Sequence, residues 1–186
     1  MIRFPPLFRD TVLICTVLLM LSSAVGYGTL TLLPEVYSIT QIGEDEIVLP
    51  SDDIPQAEYI LKLFVSNLEI VTVAFLGGFL LGTGPIIILI INGFMFGAIF
   101  KLLTENGLVF LLSLVPHMIL EIPAFIIACA LGLLAGEISW NYLLKKERPD
   151  IKIRDLVILF LVYPVLLLAC AAIIEGLVSV QLLGTL

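Results

Sequence analysis

The sequence predicts an all-α fold: a polytopic membrane bundle of five transmembrane helices, with the N-terminus inside and the C-terminus outside. Three observations predict it. Of the 186 residues, 60% are hydrophobic and 13% charged, the balance of an integral membrane protein rather than a soluble domain. The charges are swept into a few clusters. Between the clusters lie apolar segments at 11–33, 60–82, 107–136 and 155–178, each long enough, at ~20 residues, to cross a ~30 Å hydrocarbon core. Residues 1–186 read as a single transmembrane domain in the cell membrane.

The first span, 11–33, follows Arg3 and Arg9, and Ser22-Ser23-Ala24 has the look of a signal-cleavage site. Its apolar run continues to Leu33, too long for a cleaved leader, so a retained helix is expected. The loop 34–59 that follows holds seven acids (Glu35, Glu44, Asp45, Glu46, Asp52, Asp53, Glu58) and no basic residue, as an outside loop does. After the second span, 60–82, Gly82-Thr83-Gly84-Pro85 turns the chain into 85–101, so these two helices are antiparallel neighbours.

The segment 85–101 is short, and charge parity decides it. Lys145, Lys146, Arg148, Lys152 and Arg154 crowd the loop 137–154, which the positive-inside rule makes cytoplasmic together with Arg3 and Arg9. Both basic clusters fall inside only if 85–101 crosses the membrane. The alternative is that 85–101 and 107–136 both dip in and fold back, the second at its prolines. The last span is 155–178. Cys15, Cys129 and Cys170 all lie in apolar segments, which leaves no disulfide framework and no CxxC motif.

In lipid, helices associate through close packing of small residues and through polar contacts, so small residues four apart mark contact faces. Span 2 carries Ala74, Gly78 and Gly82; span 3 carries Gly93 and Gly97; span 4 carries Ala124, Ala128, Gly132 and Gly136; span 5 carries Ala172 and Gly176. His117, Glu121, Ala124 and Ala128 fall within ~40° of one another around a helix, so the polar pair faces the bundle. A carboxylate at bilayer depth costs ~3 kcal/mol or more unless it is neutralised, paired or wetted. The pair is therefore a site or an internal lock.

Counting ~1.5 Å per residue from the span boundaries puts Glu69 and His117 ~15 Å below the outer boundary and Glu121 ~21 Å below it. Asn92 lies ~10 Å above the inner boundary, at the level of Glu121. The expectation is a midplane cluster of Glu69, Asn92, His117 and Glu121 from three helices, with Glu175 near the outer water. Asn67 and Glu69 lie ~200° apart on their helix, so one of them serves a second interface, such as a homodimer contact. Pro123 and Pro116 leave the Ile119 and Leu112 carbonyls without helical donors. Imidazole, carboxylate and free carbonyl together suit a structural lock, a proton or ion pathway, or a bound cation on His117 and Glu121. Two side chains fall short of a full metal site, so no cofactor is expected. With neither HExxH nor GxSxG and no second histidine, the sequence reads as non-enzymatic; an intramembrane metalloenzyme is the weakest alternative.

Pro116-His117-x-x-x-Glu121-x-Pro123-Ala124, preceded by Asn92-Gly93-x-x-x-Gly97 and by Asn67, resembles the integral membrane family of stage II sporulation protein M. The match in motif order covers about 60–136. Where a glycine commonly follows the histidine in that family, Met118 stands here. The resemblance implies a multi-span membrane protein whose named member scaffolds peptidoglycan-degrading partners during engulfment, with many relatives outside sporulation. Two readings follow. One is a membrane scaffold or transport-associated component, a homo-oligomer such as a dimer, recruiting a protein partner through the acidic 34–59 or the basic 137–154 loop and binding no nucleic acid. The other is an ion, proton or small-solute transporter or channel with its site at His117 and Glu121.

Overall fold

The computed structural model describes residues 5, 7–33, 55–106, 108–145 and 151–183, with the backbone alone at 102, 103, 105, 106, 108–117 and 178–183. Most of the acidic loop, up to 54, and residues 146–150 of the basic loop lie outside the described residues. Among the described residues the secondary structure is helical throughout. In chain order the helices are α1 (Phe8–Leu32), α2 (Gln56–Gly77), α3 (Thr83–Asn106), α4 (Leu108–Trp140), α5 (Ile153–Val162) and α6 (Pro164–Leu183), with one π-helical turn, Asn141–Lys145, extending α4. Five stretches are long and apolar enough to cross a membrane: Phe8–Leu32, Gln56–Gly77, Thr83–Lys101, Met118–Lys145 and Ile153–Leu177. The chain is thus a bundle of five membrane-spanning helices, and the short third segment belongs to one of them.

Helix boundaries follow from proline and glycine chemistry. Pro55 is extended (φ −56°, ψ 135°) and its carbonyl accepts from the Glu58 and Tyr59 N–H groups at 2.8 and 3.1 Å, so α2 starts at Gln56 rather than at 60. The turn into α3 occupies 78–82, earlier than the Gly82–Pro85 turn expected from sequence. There Leu81 (φ 56°) and Gly82 (φ 82°) both take the left-handed conformation that reverses the chain. Leu81 bears a local cost of ~1 kcal/mol for it. Thr83, Gly84 and Pro85 then form the first turn of α3, where proline's missing N–H leaves no bond unmade. The 33 residues of α4 make one continuous helix of ~50 Å that runs through Pro116 and Pro123 without folding back. The last span breaks at Tyr163, because Pro164 has no N–H to offer the α5 carbonyls and instead opens α6.

Packing centres on α4, which touches every other helix and is half buried over its spanning stretch, more than any other helix. Ala124, Ala128, Cys129, Leu131, Leu134 and Ala135 on α4 are fully buried. Phe125 meets Phe96 of α3 edge-on at 6.3 Å, and Phe75 of α2 stacks on Phe160 of α5 at 4.7 Å. The largest pairwise contact joins α1 to α3, which run parallel: Gly26 lies against the Phe94 backbone, Gly97 against the Ser23 carbonyl and Gly93 against Ser22. Outward positions such as Leu13, Met20, Val73, Leu80, Ile87 and Leu166 are large, apolar and exposed, the surface a lipid environment requires.

Candidate intramembrane polar site

Two small-residue rows meet and set the register of the bundle. A Cβ on Gly78 would collide with the Gly132 backbone, one on Gly132 would press on the Ala74 carbonyl and Pro85, and one on Gly136 would strike the Gly82 amide. Only glycine allows α4 to approach the 78–82 turn this closely. Counting back eleven residues from the Gly78 and Gly132 contact places Asn67 and Glu121 level with each other, ~16 Å from the glycines. At the far end of α2 the row of α6 arrives, where Gly176 packs against the Ile60 side chain.

The polar groups gather between these two points, and their membership differs from the midplane set expected from sequence. Glu175 on α6 accepts a hydrogen bond from the Tyr59 hydroxyl of α2, Oη to Oε1 at 3.4 Å. Gln56 Nε2 donates to the Gly176 carbonyl at 3.0 Å, a second polar tie between the same two helices. Glu121 on α4, half-buried, lies within electrostatic reach of Glu175. Three helices therefore contribute to one polar region: Tyr59 and Glu175 bonded to each other, and Glu121 within electrostatic reach of Glu175.

Of the other expected members, Asn92 and Glu69 are elsewhere. Asn92 turns back on its own helix, Nδ2 donating to the Ile88 carbonyl at 2.9 Å. Glu69 is exposed on the outward face of α2, while Asn67 is half-buried. His117 stands one turn before Glu121 on α4, but its side chain and that of Pro116 lie outside the described residues; Pro123 is exposed. Among the described residues no group of three His, Cys, Asp or Glu side chains gathers as a metal site. Ala124 and Ala128 are buried in the core, and Gly93 and Gly97 serve the α1 contact rather than the polar site.

The family model described as stage II sporulation protein M matches residues 13–180, nearly the whole chain. The chain belongs to the stage II sporulation protein M family. Comparison with curated proteins and with solved structures gave no match. In this member of the family the matched region takes in all five spanning stretches in whole or in large part, from α1 to α6. The residue that sequence reasoning set aside is Glu175, placed at a span end and taken for an interfacial carboxylate. Its neighbours held the signal. Ala171, Ala172 and Gly176 are buried, and Ala171 and Ala172 sit four and three residues before Glu175, so they share its helix face.

Proposed function

We propose that this chain is a non-enzymatic scaffold of the cell membrane, holding partner proteins through its two charged loops. The observation that carries the reading is the glycine contact beyond the carboxylates. Gly78, Gly82, Gly132 and Gly136 bring backbones together at one end of α2 and α4, which leaves no room there for a hydrated path between these helices. Polar side chains nearby are bonded locally, Asn92 to Ile88 and Ser22 to the Leu18, Leu19 and Leu89 carbonyls. Groups bonded mainly within their own helix leave few open polar contacts for a passing ion.

The scaffold would sit with the basic loop in the cytoplasm and the acidic loop outside. Arg9 at the start of α1 lies at the same end of the bundle as the 78–82 turn, because α1 and α3 run parallel, and Lys145, Lys152 and Arg154 flank the point where α4 leaves and α5 enters at that end. In proteoliposomes bearing a proton, sodium or potassium gradient the purified chain is expected to give no flux above empty vesicles. Sustained flux that requires the protein would overturn the reading.

A second reading rests on Glu121, Glu175 and Tyr59. Two carboxylates and a phenol from three helices suit the passage of a proton or a monovalent cation. On that reading Glu121→Gln abolishes a flux that the unmodified chain supports.

A further inference from the structure

We propose that two copies of the chain associate side by side in the membrane through the exposed face of α2, with Glu69 of each copy at the centre of the contact. Lys62, Val65, Glu69, Val73 and Leu76 follow one another in steps of three or four, and all are exposed, so they form one stripe along the helix. Glu69 has no hydrogen bond or ion pair among the described residues. It lies thirteen residues after Gln56, ~20 Å along the helix, and eight before Gly77, too deep from either end for its short side chain to reach water. A carboxylate left there against lipid is strongly unfavourable. Some group must cover it.

A second copy fits this stripe because copies inserted in one orientation are related by an axis along the membrane normal. Each residue of the stripe then faces its own counterpart at the same depth. Val65, Val73 and Leu76 pack against themselves. The two Glu69 carboxyls lie at the centre, and the exposed Ser66 hydroxyl one turn before each can donate to the mate's carboxyl. Toward the end of the stripe Glu58 and Lys62, paired at 3.0 Å and each about half exposed, bring both signs of charge to the contact and can exchange partners across the axis. Complementarity of this kind comes with identity of the two surfaces; an unrelated helix would have to match depth, charge order and donor separately.

This contact stands apart from the scaffold reading, and its failure leaves that reading untouched. Purified protein in liposomes, carrying Val65→Cys or Val73→Cys singly, is oxidised with copper phenanthroline. Expected is a disulfide-linked dimer as the main product at both positions. Met20→Cys on α1 and Leu161→Cys on α5, at comparably exposed sites, remain at the wild-type baseline set by the exposed Cys170. Single-molecule photobleaching in bilayers then counts copies. Glu69→Leu is expected to weaken dimerisation at least tenfold and Glu69→Gln, which keeps hydrogen-bonding capacity, far less, with circular dichroism confirming an unchanged helix content. Cross-linking at 65 and 73 no greater than at 20 and 161 would overturn the proposal. So would an undiminished dimer in folded Glu69→Leu.

Discussion

At one end of α4, Gly132 and Gly136 lie backbone to backbone against Ala74, Gly78 and Gly82; toward the other, Glu121 lies within electrostatic reach of Glu175, which accepts from the Tyr59 hydroxyl. Both contacts join α4 to helices from elsewhere in the chain, and both were assembled without a hydrophobic driving force, since lipid is as apolar as the core. They use different physics. The glycine end relies on dispersion between closely approaching backbones, which vanishes once a side chain intervenes. The carboxylate end relies on polar groups whose desolvation offsets much of what they gain. The first should tolerate almost no change and the second a good deal.

The largest effect is expected from Gly132→Val. Its Cβ would press on the Ala74 carbonyl, Pro85 and Phe75, and the further methyl groups have no space to turn into. Overpacking a core side chain costs ~1–3 kcal/mol, and here the obstacle is backbone that cannot rotate away, so a loss of ~3 kcal/mol or more is expected. Unfolding in SDS titrations from mild detergent measures it. A loss below ~1 kcal/mol would mean that α2 and α4 part without cost, and the contrast between the ends would collapse.

At the carboxylate end the sign itself is in play. Glu121→Gln replaces one of two carboxyl groups within electrostatic reach of each other by a neutral amide, so stability should rise by up to ~1 kcal/mol in the same titration. A fall of more than ~2 kcal/mol would show that the carboxylate is a lock rather than a strained partner, and would make the two ends alike.

The two ends were also unequally legible in the sequence. Small residues four apart share a helix face whatever the neighbours do, so Ala74, Gly78 and Gly82 on one span and Gly132 and Gly136 on another announced a contact before any fold was known. Long polar side chains give no such guarantee. Depth counting placed Asn92 level with Glu121, yet an amide can satisfy itself on the carbonyl four residues back, and Asn92 does so on Ile88. Spacing showed that Asn67 and Glu69 point to different sides, but which side meets the bundle depends on the rotation of α2. That rotation is set by Phe75 on Phe160 and by Gly78 on Gly132, contacts distant in sequence. Four of the spanning stretches needed only composition and length, and the short third one needed charge parity as well.

Tyr59→Phe tests how much the polar end depends on its one phenol. The bond to Glu175 is long at 3.4 Å, so its removal should lower stability by only ~0.5–1 kcal/mol. A loss above ~2 kcal/mol would indicate that the phenol holds α2 to α6, with Gln56 on the Gly176 carbonyl the minor tie.

Ser22→Ala should have the smallest effect, and it extends the comparison to a contact that mixes both kinds of physics. Ser22 lies where α1 meets Gly93 of α3, so small size and a hydroxyl are present in one residue. The hydroxyl is bonded chiefly within α1, to the Leu18 and Leu19 carbonyls at 2.8 and 3.0 Å, and reaches the Leu89 carbonyl of α3 only at 3.3 Å. Alanine keeps the close approach and loses the hydroxyl alone. Intramembrane hydrogen bonds between helices average ~0.6 kcal/mol, so a change of ~0.5 kcal/mol or less is expected. Ser22→Val restores bulk at the same place, and the Gly93 backbone that it meets puts it with Gly132→Val. If the alanine variant instead matches the valine variant, the hydroxyl dominates this interface, and close packing would not be the rule that separates the two ends of α4.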